Sequence, residues 1–297
     1  VFLYPTRGIA GGSHLAPPSH LVGLRLAALD ALARDAKEGE QAAVVVASAL
    51  ALAERVPDAG LRPHGFELAS GGRLKLDETL PRLVDCGYER VEQVAERGQF
   101  AIRGDIVDIY PATAEHAVRI DLWDEEIESM RWFSTFTQRS LGEVESVAID
   151  PAAELRLELR EKAELAALSD PEDRPPIAEL LPLDLYVTPL ELAAGALVAV
   201  AADEDVEAAL DEWWADVETT LGSEADAVNV DPRQLLAHLE RIATARISIH
   251  DSGQAISWRG GSPAATARSI KEAEPELERL LRDGYSVLVA FPRRGDA

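Results

Sequence analysis

The chain has 297 residues, 47% of them hydrophobic, and a formal charge of −24, enough apolar material for two or three domains. Its longest apolar runs, such as 193–202 and 42–52, fall well short of the ~18 to 20 residues of a membrane-spanning helix, so no membrane segment is expected. The single cysteine, Cys86, excludes an intramolecular disulfide and a cysteine-based zinc cluster within one chain, and a reducing cytoplasm is the expected setting.

Residues 1–64 balance six Lys or Arg against six Asp or Glu, whereas 65–151 sum to −9 and 152–297 to −15. That field opposes phosphate backbones and disfavours binding of naked DNA by this segment alone, though a local basic surface remains open. Of the 29 basic residues four are Lys and 25 Arg, a bias that fits either a GC-rich genome or a need for bidentate contacts. The start, VFLYPTRG, has no initiator Met and no basic-then-apolar signal pattern, so the chain reads as one that begins inside a longer protein.

Residues 20–34, HLVGLRLAALDALAR, place Leu, Val and Ala at helical spacing, and AAVVVASALALAERV then runs from a β-branched strand at 43–47 into a second helix. Such buried runs lie in parallel sheets covered by helices, so the opening segment is expected to belong to an α/β layer. Turn residues over 63–72 mark a domain boundary. Residues 77–86 predict a short helix ending before Gly87, and 89–96 predict another. Strands are expected over 100–110 and 118–123, with a turn at 124–126 leading into 127–133.

After Pro151 the composition becomes rich in Ala, Leu and Glu, with an exposed loop expected at 169–176, SDPEDRPP. LDLYVTP and ALVAVA predict short buried strands, and 203–221 a helix with Trp213 and Trp214 near its middle. Adjacent helical positions point about 100° apart, so one ring is expected in the core and the other partly exposed. The last elements expected are an acidic helix and the strand YSVLVAF within 271–291.

Catalytic signals are weak. The six histidines, His14, His20, His64, His116, His238 and His250, show no compact ligand spacing, so no metal site is expected. Residues 118–126, VRIDLWDEE, imitate the acidic strand end that holds magnesium in nucleotide-driven motors. That chemistry also needs GxxxxGK[ST] to cradle phosphate, and the nearest candidate, Gly71-Gly72-Arg73-Leu74-Lys75, has the wrong spacing. Asp124 and Glu125 read better as hairpin turn residues. His250-Asp251-Ser252 is adjacent only in sequence, which is not the geometry of a triad. The segment is therefore expected to be neither an enzyme nor a cofactor protein.

Strand parity is more informative. Val118, Ile120 and Leu122 share one face of a strand; Arg119, Asp121 and Trp123 share the other, spaced about 6 to 7 Å apart. An exposed Trp beside Arg has the composition of an interface hot spot. The alternative is that Trp123 packs on a helix, Arg119 pairs with Asp121, and Arg103 pairs with Asp105 or Asp108. Gly104, after Arg103, reads as a close approach or a bulge.

The sequences GYERVEQVAERGQFAIRGDIVDIYPAT and VRIDLWDEEIESMRWFSTFTQRSL resemble those of the bacterial transcription-repair coupling factors. The elements RGDIVDIYPA, VRIDLWDEEIE and QRSLGEVE also resemble the second domain of the excision-repair helicase UvrB. The resemblance is strongest over residues 80–155. It implies an α/β fold: a degenerate P-loop-ATPase-like (RecA-like) domain in two chain segments, with a small α+β domain like UvrB domain 2 inserted between them. By this analogy residues 1–64 end the first segment, 65–151 are the inserted domain, 152–265 the second segment, and 266–297 the start of a further α/β domain.

The resemblance further implies a non-catalytic adaptor that recruits UvrA of nucleotide excision repair to RNA polymerase stalled at DNA damage. UvrA contacts would fall on Arg103, Arg119 and Trp123, the family having an aromatic at the last position. ATP, magnesium, double-stranded DNA, RNA polymerase and a masking C-terminal domain belong to other regions of the full-length family. A fragment of a UvrB-type helicase, or a free-standing UvrB-like protein, are the alternatives.

Overall fold

The computed structural model describes residues 1–9, 16–34, 42–168, 177–193, 195–201, 205–247, 279 and 282. His14, the expected loop at 169–176, the trio at 250–252 and the expected strand 285–291 lie outside the described residues, as does 266–297 apart from Arg279 and Arg282. The description below concerns the described residues up to Ile247.

The chain opens with β1 (Phe2–Tyr4), α1 (Ser19–Ala33), β2 (Val45–Ala47), α2 (Ala49–Ala53) and β3 (Val56–Pro57). β1 and β2 pair in parallel with α1 as the crossover between them, so the β-branched run and the helical spacing form one βαβ unit. Val22, Leu26 and Leu29, at i, i+4 and i+7, bury one face of α1 against Tyr4, Ala51 and Val56. Ser48 starts α2 by accepting from the Ala51 N–H at 3.2 Å.

Next come β4 (Phe66–Ala69), α3 (Leu76–Asp85), β5 (Glu89–Arg90), β6 (Gln99–Arg103), β7 (Ile106–Tyr110), β8 (Ala117–Trp123), β9 (Glu126–Phe133), β10 (Ser140–Glu143) and β11 (Ser146–Ile149). Six of them form a sheet of order β10-β9-β8-β7-β6-β5, antiparallel except where β5 meets β6. β11 returns to pair antiparallel with β4. One face of the sheet (Phe100, Val107, Ile109, Val118, Ile120, Met130) packs with Leu83 and other α3 side chains into the largest core. On the other face Ala101, Ala117 and Phe133 pack with Val94 into a smaller cluster.

Two expectations are corrected here. The helix expected at 89–96 does not form, because Glu89 and Arg90 pair with Gln99 and Phe100. The Gln99 side-chain oxygen instead accepts from the N–H groups of Ala95 and Glu96, both at 3.0 Å, while Val94 covers the small cluster. The stretch 100–110 is two strands, and Gly104 is neither bulge nor close approach. With φ +62° and open space around its Cα, it turns the chain between β6 and β7.

The remaining elements are α4 (Leu157–Ala167), α5 (Ile177–Leu180), β12 (Tyr186–Val187), α6 (Pro189–Leu192), β13 (Val198–Ala201), α7 (Asp205–Leu221), α8 (Ala225–Val228), α9 (Pro232–Ile242) and β14 (Ala243–Ile247). β13 and β14 are parallel, and β12 pairs antiparallel with β3. Ala53 of α2 shares a core with Leu190, Leu210, Val230, Leu235 and Leu239, so chain from before and after residues 66–150 packs together. Trp213 and Trp214 are both half-buried, their ring centroids 6.0 Å apart. Of the expected core ring and partly exposed ring only the second kind is found, because Trp213 borders the Leu210 core without entering it. No helix among the described residues is long and apolar enough to cross a membrane.

Candidate protein-docking site

Alternation along β8 is clean: Val118, Ile120 and Leu122 are buried, Arg119 and Asp121 are half-buried, and Trp123 is 75% exposed. Trp123 therefore does not pack on a helix. It ends β8 opposite Glu126, and the two-residue turn between them, Asp124-Glu125, has Asp124 at φ +58°, a conformation Asp tolerates. The first two residues of the DEE sequence are the turn of a hairpin, and the third opens β9.

Two features aim that hairpin. β9 carries an extra residue, since Asp121 faces Ser129 while Leu122 faces Ile127, and such a bulge bends and twists the strand. The segment before α3 clamps its flank: Leu74 N–H donates to Glu125 O at 2.7 Å and Ile127 N–H to Gly72 O at 2.8 Å.

The arginines converge on one carboxylate. Asp108 of β7 lies directly across from Arg119 and its side chain is 2% exposed. It accepts from Arg119 Nε at 2.7 Å and Nη2 at 2.8 Å, and from Arg103 Nη2 at 2.5 Å. Arg119 thus pairs with Asp108 rather than Asp121, because a facing residue on the neighbouring strand is nearer than one two positions along the same strand. Asp121 is taken by Arg131 and Ser129 of β9. This separation matters because Arg119 and Arg131 face each other across β8 and β9, and like charges in that position repel unless each has its own counter-ion.

Arg119 is held from below as well. Its guanidinium carbon lies 4.5 Å from the Phe133 ring centroid, and its Nη2 also donates to Gln138 Oε1 at 3.0 Å. The hydrogen bond to Asp108 keeps its proton bound more firmly than in a free arginine, against the opposing effect of burial. Counting Arg103, Asp108 and Arg119 together, the cluster carries one net positive charge in a chain of −24. The three residues singled out from sequence lie on one sheet face, and Asp108, Arg131 and Gln138 complete the group. Asp108 is one of the two carboxylates expected for Arg103, and it is the one Arg103 takes; its pairing with Arg119 was legible only with the β7–β8 register in hand. Gln138 lies in a loop with no periodic signal.

Residues 66–155 match the family model of the UvrB interaction domain, the same stretch that carries this face. A transcription-repair-coupling factor of Mycobacterium bovis is 31% identical over 290 residues, 96% of this chain and 23% of that protein. The chain belongs with the transcription-repair-coupling factors. A Bacillus subtilis coupling factor is 35% identical over 164 residues, 55% of the chain and 14% of that protein. A UvrABC system protein B of Streptococcus agalactiae is 43% identical over 86 residues, 29% of the chain and 13% of that protein. Likeness to the M. bovis coupling factor thus runs through nearly the whole chain, and that to the protein B covers less than a third of it. The chain spans about a quarter of the length of the M. bovis coupling factor. This coupling-factor segment is a mixed α/β structure containing a UvrB interaction domain.

Proposed function

We propose that this segment is a non-catalytic adaptor that binds UvrA through Arg103, Arg119 and Trp123, and that within a longer protein it recruits excision repair to RNA polymerase stalled at damage. The observation that carries the reading is a largely exposed Trp on the same sheet face as two arginines fixed on one buried carboxylate, all on the UvrB interaction domain. Guanidiniums already oriented by Asp108 lose little freedom on meeting a partner's carboxylates. The acidic remainder of the chain discourages nucleic acid at the same surface.

Residues 1–64 and 152–265 are proposed as the two halves of one P-loop-like layer interrupted by 65–151. Support comes from the core that Ala53 shares with Leu190 through Leu239, while the inserted part has its own. ATP, magnesium, double-stranded DNA and RNA polymerase are assigned to other regions of a longer, cytoplasmic protein.

The test is the affinity of the purified chain for UvrA. Arg103→Glu and Trp123→Ala should each weaken it by at least ~2 kcal/mol, the scale of interface hot spots. Unchanged affinity in both would remove the site assignment.

A further inference from the structure

Trp123 is not the only aromatic ring left in solvent on this domain: Phe136, in the loop between β9 and β10, is 95% exposed. A ring that could gain roughly 2 to 3 kcal/mol by being covered is unusual at a loop tip, and this loop is not slack. Gln138 N–H donates to Ser134 O at 2.7 Å, Ser134 N–H to Arg139 O at 3.0 Å, and Thr137 N–H to Ser134 Oγ at 3.2 Å. Gln138 sits at φ +59°, a left-handed conformation few side chains adopt without compensation.

The compensation is visible. Gln138 Nε2 donates to Thr135 O at 2.7 Å, and its Oε1 accepts from Arg119 Nη2 at 3.0 Å. One side chain therefore ties the loop to itself and to the arginine cluster. Phe136 lies two residues before it, in the loop that this side chain ties to Arg119. Trp123 lies four residues along β8 from Arg119, about 13 Å at the rise of an antiparallel strand.

We infer that Phe136 is a second aromatic anchor for the same partner, and that Gln138 is the positioning residue that couples it to Arg119. This rests on the UvrA reading above. The surface it fits has carboxylates facing Arg103 and Arg119, flanked by two apolar depressions, one for each ring. That is the anatomy of a desolvated centre with charged groups fixed between large hydrophobic contacts. Charge favours such an acid-bearing partner over a second copy's basic cluster, since two arginine clusters would repel.

The experiment measures the affinity of the 297-residue chain for UvrA by calorimetry, with unfolding midpoints and sedimentation as controls. Phe136→Ser should weaken binding about tenfold or more while leaving the unfolding midpoint unchanged, because the ring makes no core contact. Gln138→Gly keeps the left-handed backbone and removes both side-chain bonds. It should weaken binding about fivefold, and the double variant should be weaker than wild type by clearly less than the product of the two factors.

Strict multiplicativity would overturn the positioning role. Wild-type affinity in Phe136→Ser, alongside a loss in Trp123→Ala, would overturn the second anchor and leave the UvrA reading standing. No UvrA binding by the unaltered chain would overturn both. Dissociation of a self-associated species by Phe136→Ser, with UvrA affinity intact, would assign the ring to a second copy and overturn the inference.

Discussion

The Nε of Arg25, a fully buried residue on α1, donates to Oε1 of Glu154 at 2.8 Å across 129 residues of chain. Its Nη1 donates to Glu54 Oε2 at 2.6 Å and to Pro5 O at 2.7 Å. Arg7 completes the group, with its Nε on Glu154 at 2.9 Å and its Nη2 on Arg55 O at 2.6 Å. Glu154 follows closely on β11, the last strand of the UvrB interaction domain, so these charges tie α1 and the end of α2 to the point where the chain leaves that domain.

Arg25→Met leaves two buried carboxylates to Arg7 alone. Removing one partner of a buried ion pair costs about 3 to 5 kcal/mol, and the urea midpoint of the variant should fall accordingly at constant slope. A loss under about 1 kcal/mol would mean that water reaches the cluster and screens it.

The two glutamates should respond to acid in opposite ways. For Glu154, burial pushes the carboxyl up, but Arg7 and Arg25 together outweigh it and hold it below the ordinary range. For Glu54, burial wins over the same two arginines and the carboxyl lies above the ordinary range. A lowered carboxyl gives stability that is present above its unfolded value, about 4.3, and is lost as pH falls through the folded value. The cost of Glu154→Gln should therefore shrink on going from pH 7 to below 4. A raised carboxyl costs stability above its folded value and recovers it as pH falls, so Glu54→Gln should cost more at pH 4 than at pH 7. Unfolding free energies of both variants at the two pH values check the signs; parallel trends would contradict the assignment.

What the sequence disclosed follows from where periodicity was strong. α1 and β8 each carry their own apolar pattern, so the helix and the face bearing Arg119 and Trp123 were readable without a fold. β10, Ser-Leu-Gly-Glu, has no such pattern, and all four residues are exposed. Only β9 makes it a strand. Residues 89–96 have helix-forming composition, yet pairing with β6 overrides that weak preference. The pairing of Asp108 with Arg119, which joins the two arginines on one carboxylate, was hidden for a related reason: cross-strand neighbours are set by register, and register is a property of the sheet.

Asp108→Asn should act on stability and binding together. The carboxylate is buried under two guanidiniums, and an amide can neither accept from both arginines as strongly nor neutralise them. A stability loss of about 2 to 4 kcal/mol is expected from uncompensated charge. UvrA affinity should also fall, because Arg103 and Arg119 lose their common anchor. Trp123→Ala, by contrast, changes an exposed ring and should leave the unfolding free energy within about 0.5 kcal/mol of wild type. If Asp108→Asn were as stable as Trp123→Ala, the arginine geometry would not depend on the carboxylate.

Gly87 and Gly104 offer a matched comparison of conformation with and without crowding. Both have positive φ, +90° and +62°. Gly87 follows the Cys86 cap of α3, where its N–H donates to Val84 O at 3.0 Å and the Tyr88 N–H to Leu83 O at 2.9 Å. That pair of bonds is the Schellman ending, which favours glycine. The same spot is closed from outside: an added Cβ would stand 2.7 Å from the backbone nitrogen of Ala153 and 2.5 Å from its Cβ. Ala153 cannot retreat freely, because Ala152 and Ala153 both donate to Cys86 O, at 2.7 and 3.2 Å. Gly87→Ala therefore combines left-handed strain of about 1 kcal/mol with a backbone clash, and a loss of about 3 kcal/mol or more is expected from the two together. At Gly104 nothing lies within 4 Å of the added atom, so Gly104→Ala should cost only the strain, about 1 kcal/mol, and Gly104→Asn less still. Chemical denaturation of the three variants measures the difference directly; equal costs at the two glycines would show that the contact between α3 and the segment after β11 yields freely.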